Sequence, residues 1–345
     1  MYNPIDSASN ERPLATVRTI SDIAPIEGAD AIELAKILGW QCVVKKGEMQ
    51  PGDKVVYFEV DSFLPEDPRF EFLRRTSFRE TEFMGRGFRI KTMKMRGEIS
   101  QGLLLSINAF PEIPEGIEIG ADVTQALGVK KWYVPEVQTG SGTMIGTKPY
   151  GIPTTDEPRM QSSPDLIDIM RGGPYAITTK MDGTSCSAYW KDGDFGCTSR
   201  NYNIKEDPDT LYWAPERLYN LREKLAALGL NIAIQGELCG PGVQKNRIRL
   251  PGYEWFVFDM VDLNTREYYD SGEMTRLCDQ LGLKPVPIEE EGDSFAYTLE
   301  DLLEKAKGKY ASGLDKEGIV VRSKERKPRI SFKVLNNDAL LKERE

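Results

Sequence analysis

Thr178-Thr179-Lys180-Met181-Asp182-Gly183-Thr184-Ser185 decides how this chain is read. Strand-forming residues deliver one lysine, then an aspartate and a glycine, into a polar turn. Taken alone, such a stretch is a solvent-exposed hairpin turn. A second reading makes Lys180 a covalent nucleophile. A lysine attacks phosphorus only as a neutral amine, so this role demands a pKa well below the ordinary ~10.4, through desolvation or neighbouring cations. Asp182 would be a neighbour, and Gly183 would let a ligand approach the backbone.

The rest of the chain limits the chemistry available to that lysine. None of the 345 residues is a histidine, which removes Ser-His-Asp and Cys-His catalysis, histidine metal sites and imidazole acid–base work together. Catalysis must then use lysine, arginine, carboxylates and hard metal ions. The net charge of −9 argues against a uniformly basic nucleic-acid binder but leaves room for local basic surfaces. Five scattered cysteines without a Cys-x-x-Cys pair suggest neither a zinc knuckle nor a disulfide framework. No apolar run reaches membrane-spanning length, and Met1-Tyr2-Asn3-Pro4-Ile5-Asp6 lacks the features of a signal peptide, so a cytoplasmic or other reducing compartment is expected.

The length suits two domains, each with its own core. After a polar start expected to fray over residues 1–12, strand-like runs occupy 15–20, 33–38, 41–44 and 54–60, with the turn Pro51-Gly52-Asp53 before the last. Short strands at this spacing favour a small barrel or sandwich over 1–135. The run Phe88 to Arg96 reads as another strand, and 102–107 as a buried closing one. Arg86, Arg89, Lys91, Lys94 and Arg96 form either a solvated face or a phosphate-tracking surface. Lys94 and Arg96 fall on the other parity from Arg89 and Lys91 unless a bulge or turn intervenes, so no single stripe is expected. A linker is expected at 136–150, followed by a mixed domain over 151–345. There, helices are predicted at 215–228, with Gly229 as the stop, at 272–281 and at 298–309. Strands are predicted at 175–180, 185–190, 195–199, 232–238, 254–260, 317–322 and 329–334, which favours an antiparallel α+β architecture.

Five further segments place an unusual polar group beside a strand: Ser199-Arg200-Asn201, Gln235 to Gly242, Phe256-Val257-Phe258-Asp259, Lys316 to Arg322, and Ile330 to Val334. Each alone is compatible with a surface role. With the Lys180 stretch ahead of them, and in this order, they resemble nucleotidyltransferase motifs I, Ia, III, IIIa, IV and V of ATP-dependent RNA and DNA ligases and mRNA-capping enzymes, over roughly 150–340. The segment Gly236-Glu237-Leu238-Cys239-Gly240-Pro241-Gly242-Val243-Gln244-Lys245-Asn246 is similar to motif III of RNA ligase 2-like enzymes. A strand-rich domain ahead of the motifs resembles the Naegleria/Deinococcus branch, in which an OB-type domain comes first.

The resemblance implies an OB-like β-barrel followed by an antiparallel α+β, ATP-grasp-like ligase domain. It implies an ATP-dependent RNA ligase that joins 3′-OH and 5′-phosphate ends at duplex nicks, with ATP as AMP donor and Mg²⁺ or Mn²⁺ as metal. A monomeric enzyme acting on RNA, away from membranes, is expected. By the same resemblance Lys180 is the nucleophile, Glu237 accepts a ribose hydroxyl, and Phe258 stacks on adenine. Arg200 and Lys333 engage phosphate, and Glu317 with Asp182 holds metal directly or through water. The pattern has Lys-x-Lys in motif V, whereas Ser331 stands in the first place here, and Arg329 is the nearby cation that would compensate. A DNA ligase, a capping guanylyltransferase and a non-enzymatic RNA-binding protein are the competing readings.

Overall fold

The structure is a computed structural model that describes residues 12–132, 142–325 and 329–342. The frayed start, up to residue 11, and the first part of the expected linker, up to residue 141, lie outside the described residues. The described chain divides into two compact units, one holding residues 12–132 with 161–164, the other residues 142–160 and 165–340.

The first unit is an OB-fold domain. Its early strands are β1 (Ala15–Thr19), β2 (Asp22–Pro25), β3 (Ile32–Ile37), β4 (Trp40–Lys45), β5 (Lys54–Phe58) and β6 (Ser62–Pro65). After α1 (Arg74–Ser77) come β7 (Phe78–Thr81), β8 (Gly85–Arg89), β9 (Thr92–Met95), β10 (Glu98–Gln101), β11 (Leu103–Ser106) and β12 (Lys130–Lys131). Central β5 pairs with β1 and β11. It buries side chains on both faces: Val56 and Phe58 in one core with Phe70, Phe88 and Phe110, and Val55 and Tyr57 in another with Ile37, Trp40 and Leu104. The predicted turn forms, with Gly52 at φ 93° and the Asp53 carboxylate accepting the Gln50 N–H at 2.9 Å.

The run 88–96 is not one strand. β8 ends at Arg89, and β9 turns back into β10 through Arg96-Gly97, both at positive φ, as a two-residue hairpin turn requires. β8 and β9 therefore belong to different sheets, and their basic residues form no common row.

The second unit holds β13 (Met144–Thr147), α2 (Asp165–Met170), β14 (Tyr175–Thr179), β15 (Thr184–Lys191), β16 (Asp194–Thr198) and β17 (Tyr202–Ile204). It continues with α3 (Ala214–Tyr219), α4 (Leu221–Leu228), β18 (Ile232–Cys239), β19 (Glu254–Asp262), α5 (Ser271–Leu281), β20 (Lys284–Pro285) and β21 (Ile288–Gly292). The remainder is α6 (Leu299–Ala306), β22 (Gly318–Ser323), β23 (Ser331–Leu335) and α7 (Asn337–Lys342, whose last two residues lie beyond the unit). Two sheets result: β13-β17-β16-β15-β18-β19-β20, antiparallel except for its last pair, and antiparallel β21-β14-β22-β23.

Two differences from the predicted elements have identifiable physical causes. The helix expected over 215–228 breaks at Asn220, whose left-handed backbone (φ 50°) ends α3 and starts α4 in a new direction. Leu221 and Leu225 are buried as predicted, but Leu218, on the far side of the break, is 45% exposed. Strand β21 was not foreseen, because Ile288-Glu289-Glu290-Glu291-Gly292 reads as a solvated acidic stretch. Its charge is matched in the fold by Lys316 on Glu289, Lys305 on Glu290 and Lys324 on Glu291.

Candidate active site

Residues 180–183 are where the chain crosses from the four-stranded sheet, leaving β14, to the seven-stranded sheet, entering β15. The expected site residues come from both sheets of this unit. Glu237 and Phe258 stand on β18 and β19; Glu317 immediately precedes β22, and Lys333 lies on β23.

Lys180 is tied down through backbone and side chain. Its N–H donates to the Gly318 carbonyl at 3.0 Å, and its Nζ lies 2.8 Å from Glu317 Oε1. Burial works to lower its pKa, but the carboxylates of Glu317 and Glu237 outweigh burial and leave it above the ordinary lysine value. The depressed pKa expected of the nucleophile is thus not what these protein groups give by themselves. Removing the proton requires that something compete for these carboxylates.

The packing of the protein itself requires a glycine at position 183. A Cβ there would lie 2.4 Å from the Leu238 carbonyl oxygen and 2.8 Å from Glu237 Cγ, so the close approach it permits is by strand β18 of the protein itself. Asp182 is buried and accepts the Arg247 N–H at 3.0 Å, and burial raises its pKa above the ordinary aspartate value.

Glu237 faces the same region, and burial pushes its pKa up to about 7, with Lys180 opposing and Glu317 adding to the shift. A carboxyl held above its unfolded value of 4.5 contributes stability that is complete below pH 4.5 and is lost as pH rises through about 7. Glu237→Gln, which cannot ionise, should flatten the fall in thermal midpoint of the ligand-free protein between pH 5 and 7. An unchanged pH slope would contradict this.

Arg200 and Lys333 converge on one carboxylate, that of Asp156, at 2.7 and 2.6 Å. Burial brings Lys333 down to about 8 in spite of Asp156, with Arg159 and Lys180 adding to the depression. The cations expected to engage phosphate therefore already share an anion. Asp156 was missed because Thr154-Thr155-Asp156-Glu157-Pro158 falls between the expected linker and the first strand predicted in the second domain; its signal is a pair of acids in a proline-flanked loop.

Phe258 is half-buried beside Met181, Phe256 and Val286, with the Arg322 guanidinium 5.6 Å from its ring centre. The β18–β19 register shifts next to it, at Gln235/Gly236, so Phe258 lies at a bulge. Arg329 precedes β23 instead of lying on it. It donates to Asp259 at 2.7 Å and to Glu157 at 3.5 Å, and stacks 3.8 Å from the Tyr268 ring centre. Burial works to raise the Glu157 pKa, but Arg329 and Arg322 hold it below the ordinary value. Arg329 is thus one half of a buried ion network. Arg329→Ala should cost about 1.5–3 kcal/mol of stability by removing the charged hydrogen bond to Asp259 and leaving Asp259 and Glu157 to Arg322, at 3.7 and 3.4 Å. A denaturant titration showing a loss below about 1 kcal/mol would refute that.

In the OB-fold domain, Arg86 is paired with Glu66 at 2.8 Å, and Arg89 lies 4.9 Å from the Trp132 ring centre. Lys91 is half-buried, and Lys94 and Arg96 are exposed. All five cysteines are buried and free, and burial raises every thiol pKa, so none is poised as a thiolate.

Among the described residues no group of three histidine, cysteine or acidic side chains stands ready to hold a metal ion. The carboxylates of Glu317 and Glu237 act on Lys180, and oxygens of this kind suit a hard divalent cation that keeps water and phosphate ligands of its own. No helix among the described residues is long and apolar enough to cross a membrane.

An OB-fold domain followed by this two-sheet α+β domain defines the class of protein, and comparison with known proteins agrees. A family model described as an OB-fold domain matches residues 14–107, and the RNA ligase model matches residues 173–335. The chain is 36% identical to Naegleria gruberi RNA ligase. Its glutamate-to-alanine mutant with ATP and Mn superposes with a TM-score of 0.92, covering 97% of this chain and 100% of the other. The form with PPi gives 0.91, with 96% and 99% covered, and an apo aspartate-to-alanine mutant gives 0.91, with 96% and 98% covered. Comparison with curated proteins finds no match. The chain belongs to the RNA ligase family.

Proposed function

We propose that this protein is an ATP-dependent RNA ligase that seals 3′-OH/5′-phosphate ends, at nicks in RNA-containing duplexes, through a lysyl-adenylate. The observation that carries the reading is the placement of Lys180 Nζ 2.8 Å from Glu317, with Arg200 and Lys333 converging on one anion position in the same unit. The Naegleria relative binds ATP and Mn, which supports ATP as AMP donor and a divalent cation here.

In the first step Lys180 Nζ, as neutral amine, attacks the α-phosphorus of ATP. A P–N bond forms, the bond to the β-phosphate oxygen breaks, and pyrophosphate leaves. An oxygen of the RNA 5′-phosphate then displaces the lysine from the adenylate, and the 3′-OH attacks the activated 5′-phosphorus to release AMP. These are phosphoryl-type transfers, governed by positioning and charge neutralisation. A bound divalent cation supplies positive charge against the phosphate oxygens and the carboxylates near Lys180. Glu317 and Asp182 offer it oxygen, Arg200 and Lys333 take phosphate in place of Asp156, Glu237 accepts a ribose hydroxyl, and Phe258 stacks on the base. Arg86, Arg89, Lys91 and Lys94 are the proposed nucleic-acid contacts, with 1–135 as binding domain, 136–150 as linker and 151–345 as transferase in a monomer.

The test is incubation with α-labelled ATP and manganese, then a panel of nicked RNA, DNA and hybrid duplexes. Acid-stable protein-bound AMP and sealing that needs ribonucleotides on the 3′-OH side are expected. No bound AMP would overturn the reading, labelling by GTP but not ATP would indicate a capping enzyme, and equal sealing of all-DNA nicks would remove the RNA preference.

A further inference from the structure

Tyr310 belongs to none of the motifs, yet its hydroxyl lies between the backbones of Lys180 and Glu317. It donates to the Lys180 carbonyl at 2.6 Å and accepts the Glu317 N–H at 3.1 Å. The side chain is buried, and burial raises the phenol pKa far above the ordinary value, so the hydroxyl keeps its proton and remains a donor. Tyr310 is itself anchored: its N–H donates to Leu314 O at 2.9 Å, its carbonyl accepts the Gly313 N–H at 2.9 Å, and Lys309 bridges to Asp315 around the loop.

The backbones it joins are held on their other sides too. Lys180 N–H is fixed on Gly318 O at 3.0 Å, and Glu317 O accepts the Asn336 N–H at 2.9 Å. Each residue thus has one backbone group on another backbone segment and the other on the same hydroxyl. Where β14 ends and β22 begins, one oxygen atom spaces the two segments, and the side chains they carry meet at 2.8 Å.

We propose that Tyr310 is a positioning residue for adenylate transfer, its hydroxyl setting the spacing between the nucleophile Lys180 and the carboxylate of Glu317. The inference rests on the reading of Lys180 as nucleophile. A buried tyrosine that only stabilises the fold would have the same contacts but a different kinetic signature. Small misplacement of reacting groups lowers the maximal rate by one to two orders of magnitude without weakening ground-state binding.

Tyr310→Phe removes the hydroxyl and keeps the ring. In single-turnover labelling with α-labelled ATP and manganese, its maximal rate should fall about 10–100-fold, with the half-saturating ATP concentration within about twofold of wild type. Tyr297→Phe, which removes a tyrosine hydroxyl bonded to Glu290 in the same unit, is the control and should keep the wild-type rate. Thermal unfolding of all three proteins establishes that each is folded at the assay temperature. An unchanged maximal rate in Tyr310→Phe, a change confined to the half-saturating ATP concentration, or an equal loss in Tyr297→Phe would each overturn the inference while wild type labels. Absence of label on wild type would instead sink the functional reading, and the inference with it.

Discussion

Lys180→Ala should form no lysyl-adenylate, a loss on the order of 10⁴-fold or more in the labelling rate. The first step makes a bond to Nζ, and neither Lys333, proposed to hold phosphate, nor Lys316, paired with Glu289, is free to take that role. Lys180→Arg should fail as well, because a guanidinium does not release its proton in this range. The third step differs in kind. There the 3′-OH attacks an already activated 5′-phosphorus and AMP departs, so no bond to Lys180 forms or breaks. Sealing of chemically pre-adenylylated RNA by Lys180→Ala should therefore persist within about tenfold of wild type, a modest change beside the loss of a nucleophile. Gel analysis of both reactions checks the pair of expectations. Labelled AMP on the alanine variant would show that another residue is the nucleophile.

What the sequence made legible follows from which forces are local. Alternation of apolar residues and turn chemistry at Pro51-Gly52 placed β1, β3, β4, β5 and β11 of the first domain, and the Asp270 and Thr298 caps bound helices where periodicity had put them. Lys180, Glu237 and Glu317 were readable because each stands beside a strand in an ordered series, and their strands do bring them together. Apart from the helix break at Asn220, the failures share a cause: partners distant in sequence. Asn220 breaks a helix that the Leu218, Leu221, Leu225 and Leu228 pattern predicted to be continuous, and only backbone conformation reveals it. β21 is stabilised by lysines 15 to 33 residues away, so its acids looked like a solvated run. Asp156 and Tyr310 lie in loops without periodicity, and their importance comes from cations and backbone groups that the fold delivers from elsewhere. Arg329 carried a charge the chemistry wanted, but Asp259, Glu157 and Tyr268 claim it.

Gly183→Ala should damage folding and chemistry together. The added methyl carbon would stand 2.4 Å from the Leu238 carbonyl oxygen, 2.7 Å from Cys239 Sγ and 2.8 Å from Glu237 Cγ. The first of these is backbone in the middle of a sheet and cannot rotate away. β18 is held on one side by β15, through Thr184 opposite Leu238 and Ser185 opposite Glu237, and on the other by β19. Strain must then fall on the 180–183 crossover or push β18 outward, and either movement separates Lys180 from Glu237. Overpacking of this kind costs about 1–3 kcal/mol. An ångström of displacement at a reacting centre costs about 10²-fold in rate. Gly193, in the tight turn between β15 and β16, provides the contrast: its φ is +88°, but no atom lies within 4 Å of a Cβ there. Gly193→Ala should lose about 1 kcal/mol to backbone strain and keep the wild-type labelling rate. Urea titration and single-turnover labelling of the two variants separate the effects. If Gly183→Ala labels as fast as Gly193→Ala, the close approach of β18 does not position the site, and Glu237 reaches its place by some other support.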